Sequence, residues 1–358
     1  MASPFNIFGI GSRPKSYLGI DIGTLSIKIV ELSAEDGRPK LENYAILTDY
    51  DLMAGNSAGD SGERTAKVFN GKAAIMIRRL FKEGSISARE GNMSVPIFSS
   101  FLTVIELPQM SESELVNAIQ FEAKKYVPVP LESVVIDWSV IGENGAGGIS
   151  VILVAIPKDL ISEYSVIAKE AELKLLNIEL ETVSATRALI GNDTVPAVLI
   201  DMGARDTTIS VVDGGHLRIS HSIAASGEDL TRALASSLNI DWRRAEDLKK
   251  ESGLKVMNGN KQITEVLTPL LNDIINASQN IIDLYFSKTK KKIEKIIIYG
   301  GASKMPGFGE YLSGRLKMDA IVGAPFGRVA YSEKLKPAID EVGHELTIAV
   351  GLALKAIQ

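Results

Sequence analysis

The chain has no cysteine, which excludes a disulfide framework, a thiolate metal site and a cysteine nucleophile, so its chemistry rests on oxygen and nitrogen groups. Histidine is nearly absent too: His216, His221 and His344 give a histidine zinc site too little material. No run of 18 apolar residues occurs, and Phe5, Ile7, Phe8 and Ile10, broken by Gly9 and Gly11, are too few for a signal-peptide core. These absences point to a cytoplasmic chain without a membrane span. A basic surplus is also lacking, because the formal net charge is -5 and the cations are scattered. The one short cluster, Lys288 to Lys292, follows an apolar helix and precedes a strand, where cations offset the helix dipole. Nucleic acid is therefore not expected as a partner.

What is present suits a globular protein of two ordinary domains: 358 residues, 45% hydrophobic and 23% charged. Tyr17 to Ser33 reads as two strands around a tight turn at Gly23, with a third strand at Leu41 to Leu47. Asp51 to Gly62 reads as an exposed loop, and Ala66 to Phe81 has helical spacing. Strand character returns from Asn92 to Pro108. Ser111 with Glu114 then opens a helix to Tyr126 as a capping box, and Val134 to Ile141 and Ile149 to Ile156 make a second hairpin. Residues from about 87 to about 160 thus form a strand, helix, strand, strand unit, compact enough to be an inserted module. Helices are expected at Ser162 to Leu173 and Val183 to Ile190, then a repeat of the opening hairpin at Val195 to Gly203 and Thr207 to Val212. Three helices follow, at Gly227 to Leu238, Asp241 to Ser252 and Thr268 to Phe286. The last is read with Thr268 as cap, Pro269 at its first helical position and Leu270, Ile274, Ile281 and Leu284 as its apolar stripe. A short strand, Lys295 to Tyr299, ends in Gly300 and Gly301, and a helix fills Gly343 to Ile357. The order is mixed α/β throughout.

The two hairpins share more than shape. One reads Gly19-Ile-Asp21-Ile-Gly23-Thr24-Leu-Ser26-Ile-Lys28, the other Leu199-Ile-Asp201-Met-Gly203-Ala-Arg-Asp206-Thr207-Thr208. In each, an apolar strand delivers a carboxylate two residues before a glycine turn that offers backbone N–H groups and small hydroxyls. Such corners make a phosphate cradle with an anchor for magnesium, which prefers oxygen ligands and keeps several waters. Asp21 and Asp201 suit the metal, Thr24, Ser26, Thr207 and Thr208 suit phosphate oxygens, and Lys28 offsets charge. A lone Asp-x-Gly is usually just a turn. Two in matching register, 180 positions apart from Asp21 to Asp201, signal duplication.

Together with IIIYGGASKMPG at Ile296 to Gly307, these hairpins resemble the phosphate-1, phosphate-2 and adenosine motifs of the actin, Hsp70 and sugar kinase superfamily, in the expected order. The resemblance implies two domains of duplicated ribonuclease H-like topology flanking a nucleotide cleft, with ATP and Mg²⁺ as ligands. It makes Gly23, Gly203 and Asp206 part of the phosphate turns. Gly300 and Gly301 would let adenosine approach the backbone, with Lys304 and Met305 beside them. Glu246 and Lys249, spaced i, i+3 on one helix, match residues that bind ribose in the superfamily, although an ordinary surface ion pair has the same spacing. Glu181 stands where relatives orient the attacking water, which with Asp201 gives the catalytic pair; a helix-start carboxylate is the plain alternative.

The segment SELVNAIQFEAKKYVPVPLESVVIDWSVIG, Ser113 to Gly142, narrows the resemblance to the PilM family of type IV pilus assembly proteins, relatives of the division protein FtsA. It implies an FtsA-type 1C module within domain I. The expected divisions are 1–16 as a loose start, 17–190 as domain I, 191–335 as domain II and 336–358 as a helix returning to domain I. The implied function is an ATP-binding scaffold at the inner membrane, captured there by the cytoplasmic N-terminal tail of a PilN-like membrane protein. That tail would lie in a groove between module and domain I, with the assembly ATPase region as a further partner. Hydrolysis is expected to be slow or absent. A filament former like FtsA, or a small-molecule kinase with Asp137 or Asp206 as base, remain the alternatives. Gly55-Asn-Ser57-Ala-Gly59 matches G-x-S-x-G without the required preceding strand, and Gly145-Ala-Gly147 lies between strands where no helix N-terminus is available.

Overall fold

A computed structural model describes residues 15–48, 72–143, 147–255 and 261–357. The loop read at Asp51 to Gly62, the Gly55 to Gly59 pattern within it and the start of the helix from Ala66 lie outside them. Strands β1 (Ser16–Ile22), β2 (Ser26–Glu35) and β3 (Arg38–Thr48) form an antiparallel meander. Asp36 and Gly37 turn β2 into β3, and both have positive φ, as a two-residue hairpin turn requires. Helix α1 (Ala73–Glu83) leads to β4 (Glu90–Val95), which lies parallel to β1.

From there the chain leaves the first sheet. Strand β5 (Phe101–Pro108), helix α2 (Glu112–Tyr126), β6 (Val134–Glu143) and β7 (Gly148–Pro157) build a three-stranded sheet in the order β5-β7-β6. The strand, helix, strand, strand unit therefore starts at Phe101, since β4 belongs to the first sheet. Ser111 and Glu114 close the expected capping box. Leu115, Ile119 and Ala123 of α2 pack on Ile105, Val151 and Leu153, giving the unit its own core.

Helix α3 (Lys158–Glu170) returns the chain to β8 (Lys174–Leu180), parallel to β4, and α4 (Glu181–Leu189) follows at once. The second half repeats the plan. Strands β9 (Ala197–Met202), β10 (Thr207–Asp213) and β11 (His216–Ile223) form a meander, followed by α5 (Gly227–Leu238), α6 (Trp242–Glu251) and α7 (Lys261–Thr289). Then come β12 (Lys295–Tyr299), α8 (Phe308–Leu316), β13 (Asp319–Val322), α9 (Lys336–Val342) and α10 (Thr347–Ile357). The first sheet runs β3-β2-β1-β4-β8 and the second β11-β10-β9-β12-β13, so each strand has a counterpart. This is the duplicated topology expected from the paired hairpins.

Several expectations give way to tertiary packing. Helix α7 begins seven residues before Thr268 and carries Pro269 inside it. Ile263 and Leu267, both buried, extend its core stripe, and Thr268 Oγ1 donates to the Thr264 carbonyl at 2.6 Å. Burial of those two side chains offsets the roughly 3 kcal/mol that an internal proline costs. The stripe is Leu267, Leu271, Ile274, Ile281 and Tyr285, while Leu284 is exposed. Helix α3 also starts four residues ahead of Ser162 and stops at Glu170, leaving room for a strand that the sequence reading passed over.

Helix α10 closes the first half. A Cβ on Gly19 would sit 1.9 Å from the Ala349 carbonyl, and one on Gly351 would sit 1.9 Å from that of Ser184. Glycine at both places lets α10 touch the β1 and α4 backbones. Asn92 Nδ2 donates to the Leu352 carbonyl at 2.9 Å.

Candidate functional site

Asp21 is the penultimate residue of β1 and Asp201 that of β9, each directly opposite the residue seven positions on: Asp21 faces Lys28, and Asp201 faces Thr208. Asp21 is buried. Ser94 Oγ donates to its Oδ1 at 2.9 Å, and Lys28 Nζ lies 3.5 Å from its Oδ2. Burial opposes the Lys28 charge, but the fields of Asp21, Glu345 and Asp201 together lift its pKa above the usual lysine value. Among the described residues Asp201 has no such partner. Burial, then Asp206 and Asp21, push its carboxyl up to about 8 against the pull of Lys28. Glu181 is the first residue of α4. Burial, then Asp206 and Asp201, raise it well above the carboxylate range, although its Oε1 accepts the Ile97 N–H at 3.0 Å.

Four carboxylates from both halves thus share one field with one lysine. Among the described residues no three acidic or histidine side chains converge closely enough to chelate an ion. The donor set suits a hydrated divalent ion held through water, whose charge would relieve the mutual repulsion.

The turns differ in what they offer. Gly23 N–H donates to the Ser26 carbonyl at 3.0 Å, and Thr24 and Ser26 are half-buried beside it. In the other turn a Cβ on Gly203 would approach the Asp206 carbonyl to 2.7 Å. Thr207 is fully buried, and its hydroxyl donates to the Ala225 carbonyl at 2.6 Å. Thr208 shares a hydrogen bond with Ser222 of β11 at 2.7 Å and lies 3.4 Å from Asp206 Oδ2. Both hydroxyls expected to face phosphate are spent inside the sheet, by partners on the unforeseen β11 and the loop after it.

The glycine pair also divides. Gly300 has φ +88°, and a Cβ there would strike Asp201 Oδ1 at 2.3 Å, so the protein itself requires that glycine. A Cβ on Gly301 would meet nothing within 4 Å, so a side chain there would enter open space. Met305 is buried in the core of the second half. Lys304 donates to the Asp340 and Glu341 carbonyls at the end of α9.

Glu246 and Lys249 are not a surface ion pair. Lys249 is buried, with Nζ 2.7 Å from Glu246 Oε2, 2.9 Å from the Gly227 carbonyl and 2.8 Å from Thr231 Oγ1. Burial lowers the lysine pKa. It also opposes the Glu246 charge, but Lys249 prevails and holds that carboxyl below its usual range. All three ammonium donors are used, tying α6 to the start of α5. Gly227 in turn donates its N–H to the Gly203 carbonyl at 3.0 Å.

Two contributors carried no sequence signal. Ser94, one residue from the end of β4, reaches Asp21 only because β4 lies beside β1. His344 lends its carbonyl to Gly300 N–H at 3.1 Å, and its imidazole is buried with Nδ1 unpartnered. Burial, then Lys304 and Lys28, lower that imidazole to about 4.

A family model for the type IV pilus assembly protein PilM matches residues 19–357. The chain belongs to the PilM family. Among curated relatives, the cell division protein FtsA of Enterococcus faecalis is 22% identical over 337 residues, covering 81% of this chain and 74% of FtsA. FtsA of Enterococcus hirae is 23% identical over 336 residues, with the same coverage. Among solved structures, the PilM-PilN type IV pilus biogenesis complex aligns with TM-score 0.80 at 22% identity, over 96% of this chain and 98% of that one. MreB5 of Spiroplasma citri bound to AMPPNP aligns with TM-score 0.54 at 14% identity, over 97% of both. The fold of this PilM-family chain is the two-domain actin-like ATPase fold. Among the described residues no helix is long and apolar enough to cross a membrane.

Proposed function

We propose that this protein is a cytoplasmic, ATP-binding scaffold of a type IV pilus or related secretion assembly, held at the inner membrane by the N-terminal tail of a PilN-like protein. The observation that carries the nucleotide reading is the common field of Asp21, Asp201, Asp206, Glu181 and Lys28, drawn from equivalent corners of a duplicated fold. Membership of the PilM family and the likeness to a solved PilM-PilN complex support the partner.

A hydrated Mg²⁺ between Asp21 and Asp201 would neutralise the charge of bound phosphates. Lys28 adds a second positive charge. The Gly23 to Ser26 turn offers the Thr24 and Ser26 hydroxyls from one side, and the Gly203 to Asp206 turn closes the other. Gly301 leaves room for adenosine. Glu181 stands where a water would be oriented, but its carboxylate is engaged by the Ile97 amide, which accords with slow or absent turnover. ATP then acts by favouring a closed arrangement of the two domains, and the PilN-like tail lies in a groove between the inserted unit and the first domain.

The test is equilibrium binding of Mg-ATP and of a PilN-type tail peptide to the full chain. Micromolar nucleotide binding that is lost in Gly301→Val, with an unchanged melting temperature, is the expected result. Wild-type nucleotide affinity in that variant would reject the adenosine pocket, and a chain that ignores the tail would reject the adaptor role.

A further inference from the structure

The inserted unit does not merely project from the first domain; it spans the two. Its root is Pro96 to Ser100, between β4 and β5. Just before it, on β4, Ser94 Oγ donates to Asp21 Oδ1 at 2.9 Å, and within the root the Ile97 amide donates to Glu181 Oε1 at 3.0 Å. The root is thus fixed to a carboxylate of the nucleotide cleft through Ile97, directly after the strand that holds Asp21. Its other contact is with the second domain. Arg218 of β11 donates from Nη2 to the Ile141 carbonyl of β6 at 3.1 Å, and from Nε to the Asp213 carbonyl of its own hairpin at 3.2 Å. Leu102 and Ile152, on the sheet face away from α2, pack into the same apolar cluster as Leu217 of β11. A cavity of about 240 Å³ remains in the seam, where Ile97, Phe98 and Leu102 face Ser220, His221 and Ser222.

Resting on the nucleotide reading above, we infer that the inserted unit is the element that senses domain closure, with one foot on Glu181 through Ile97 and the other on β11 through Arg218. Any rotation of the second domain against the first must shift Arg218 relative to Ile141, or carry the unit with it, because the two feet stand on different bodies. The seam cavity gives that shift somewhere to go. The coupling is reciprocal: a partner that holds the unit in its closed seating raises nucleotide affinity by the same factor that nucleotide raises the partner's.

Hydrogen exchange on the full chain, with and without saturating Mg-ATP, tests this. In the wild type, amides of Ile97 to Leu102 and of Val134 to Ile141 should change in exchange rate by at least about fivefold. In Arg218→Ala, Mg-ATP should bind within about threefold of wild type while the change at Val134 to Ile141 disappears and that at Ile97 to Leu102 stays. Phe98→Ala, which empties the seam from the other side, should weaken the same response if Arg218→Ala fails to fold. Mg-ATP binding with no change in the inserted unit would overturn the inference and leave the nucleotide site standing. A wild-type response in both variants would overturn the second foot. No Mg-ATP binding at all would remove the nucleotide reading and this inference together.

Discussion

The hairpins at Asp21 and Asp201 are built to one plan and charged to two. Both place a carboxylate at a strand end, two residues before a glycine and opposite the residue seven positions later. In the first, that opposite residue is Lys28, and Ser94 adds a donor, so Asp21 sits in a satisfied pair. In the second it is Thr208, whose hydroxyl is taken by Ser222, and Asp201 faces Asp206 with no cation of its own. Duplication has preserved the backbone corner and left the electrostatics asymmetric. The first corner is complete by itself, and the second is completed by whatever positive charge enters the cleft. Position 19 diverges similarly. Gly19 admits the backbone of α10, whereas its counterpart Leu199 fills a core.

That contrast can be broken by substitution. Gly19→Ala should have the largest effect, because its Cβ would lie 1.9 Å from a backbone carbonyl that cannot move without displacing α10. A loss of roughly 4 kcal/mol or more in denaturant unfolding is expected, and a neutral result would mean that α10 does not sit on β1. Next, Asp21→Asn should cost roughly 3 kcal/mol, since it leaves the largely buried Lys28 without its ion pair. Asp201→Asn should leave the melting temperature unchanged or raised, because it removes a repelled carboxylate, yet weaken Mg-ATP binding at least about tenfold. Equal stability losses for the two would erase the asymmetry.

A pH-dependent effect, absent at neutral pH, tests the joint between the halves. The His344 pKa is about 4 in the fold against about 6.5 unfolded, so the unfolded chain binds the extra proton first. Stability from the neutral imidazole is complete above pH 6.5 and is lost as pH falls towards 4. Unfolding between those limits should be up to about 3 kcal/mol easier in the wild type than in His344→Gln, each relative to its value at pH 7. Parallel pH profiles would show that His344 titrates normally. Thr208→Val should change least, costing about 1 kcal/mol for the Ser222 hydrogen bond. Nucleotide affinity should stay within about threefold; a larger loss would restore Thr208 to the phosphate site.

The hairpins, the capped α2 and the glycine pair were legible because each depends on local chemistry: a turn, a cap, a positive φ. Strand β11 was not, since HLRISHSI alternates polar residues whose hydroxyls are used by Thr208 and Ser210 across the ladder. Strands β8 and β13 were missed for a related reason. Both are sheet edges, β13 has only four residues, and β8 follows a helix after just three. The candidate carboxylates could be named from their spacing. Their shared field, the commitment of Thr207 and Thr208, the burial of Lys249 and the reach of Ser94 all depend on strand neighbours far apart in the chain. Lys304 and Met305 show the same limit, because their contacts, with the α9 carbonyls and with the core of the second half, are made by residues distant in sequence or buried in the core.

The α10 clasp also sets an order of assembly. Asn92 finds its acceptor on Leu352, 260 residues later, after the whole second sheet has been made. On the ribosome, the contiguous second half can fold as soon as it emerges, whereas the earlier-made β1 and β4 must wait with an uncovered face until α10 arrives. The part of the protein synthesised first is therefore the part finished last.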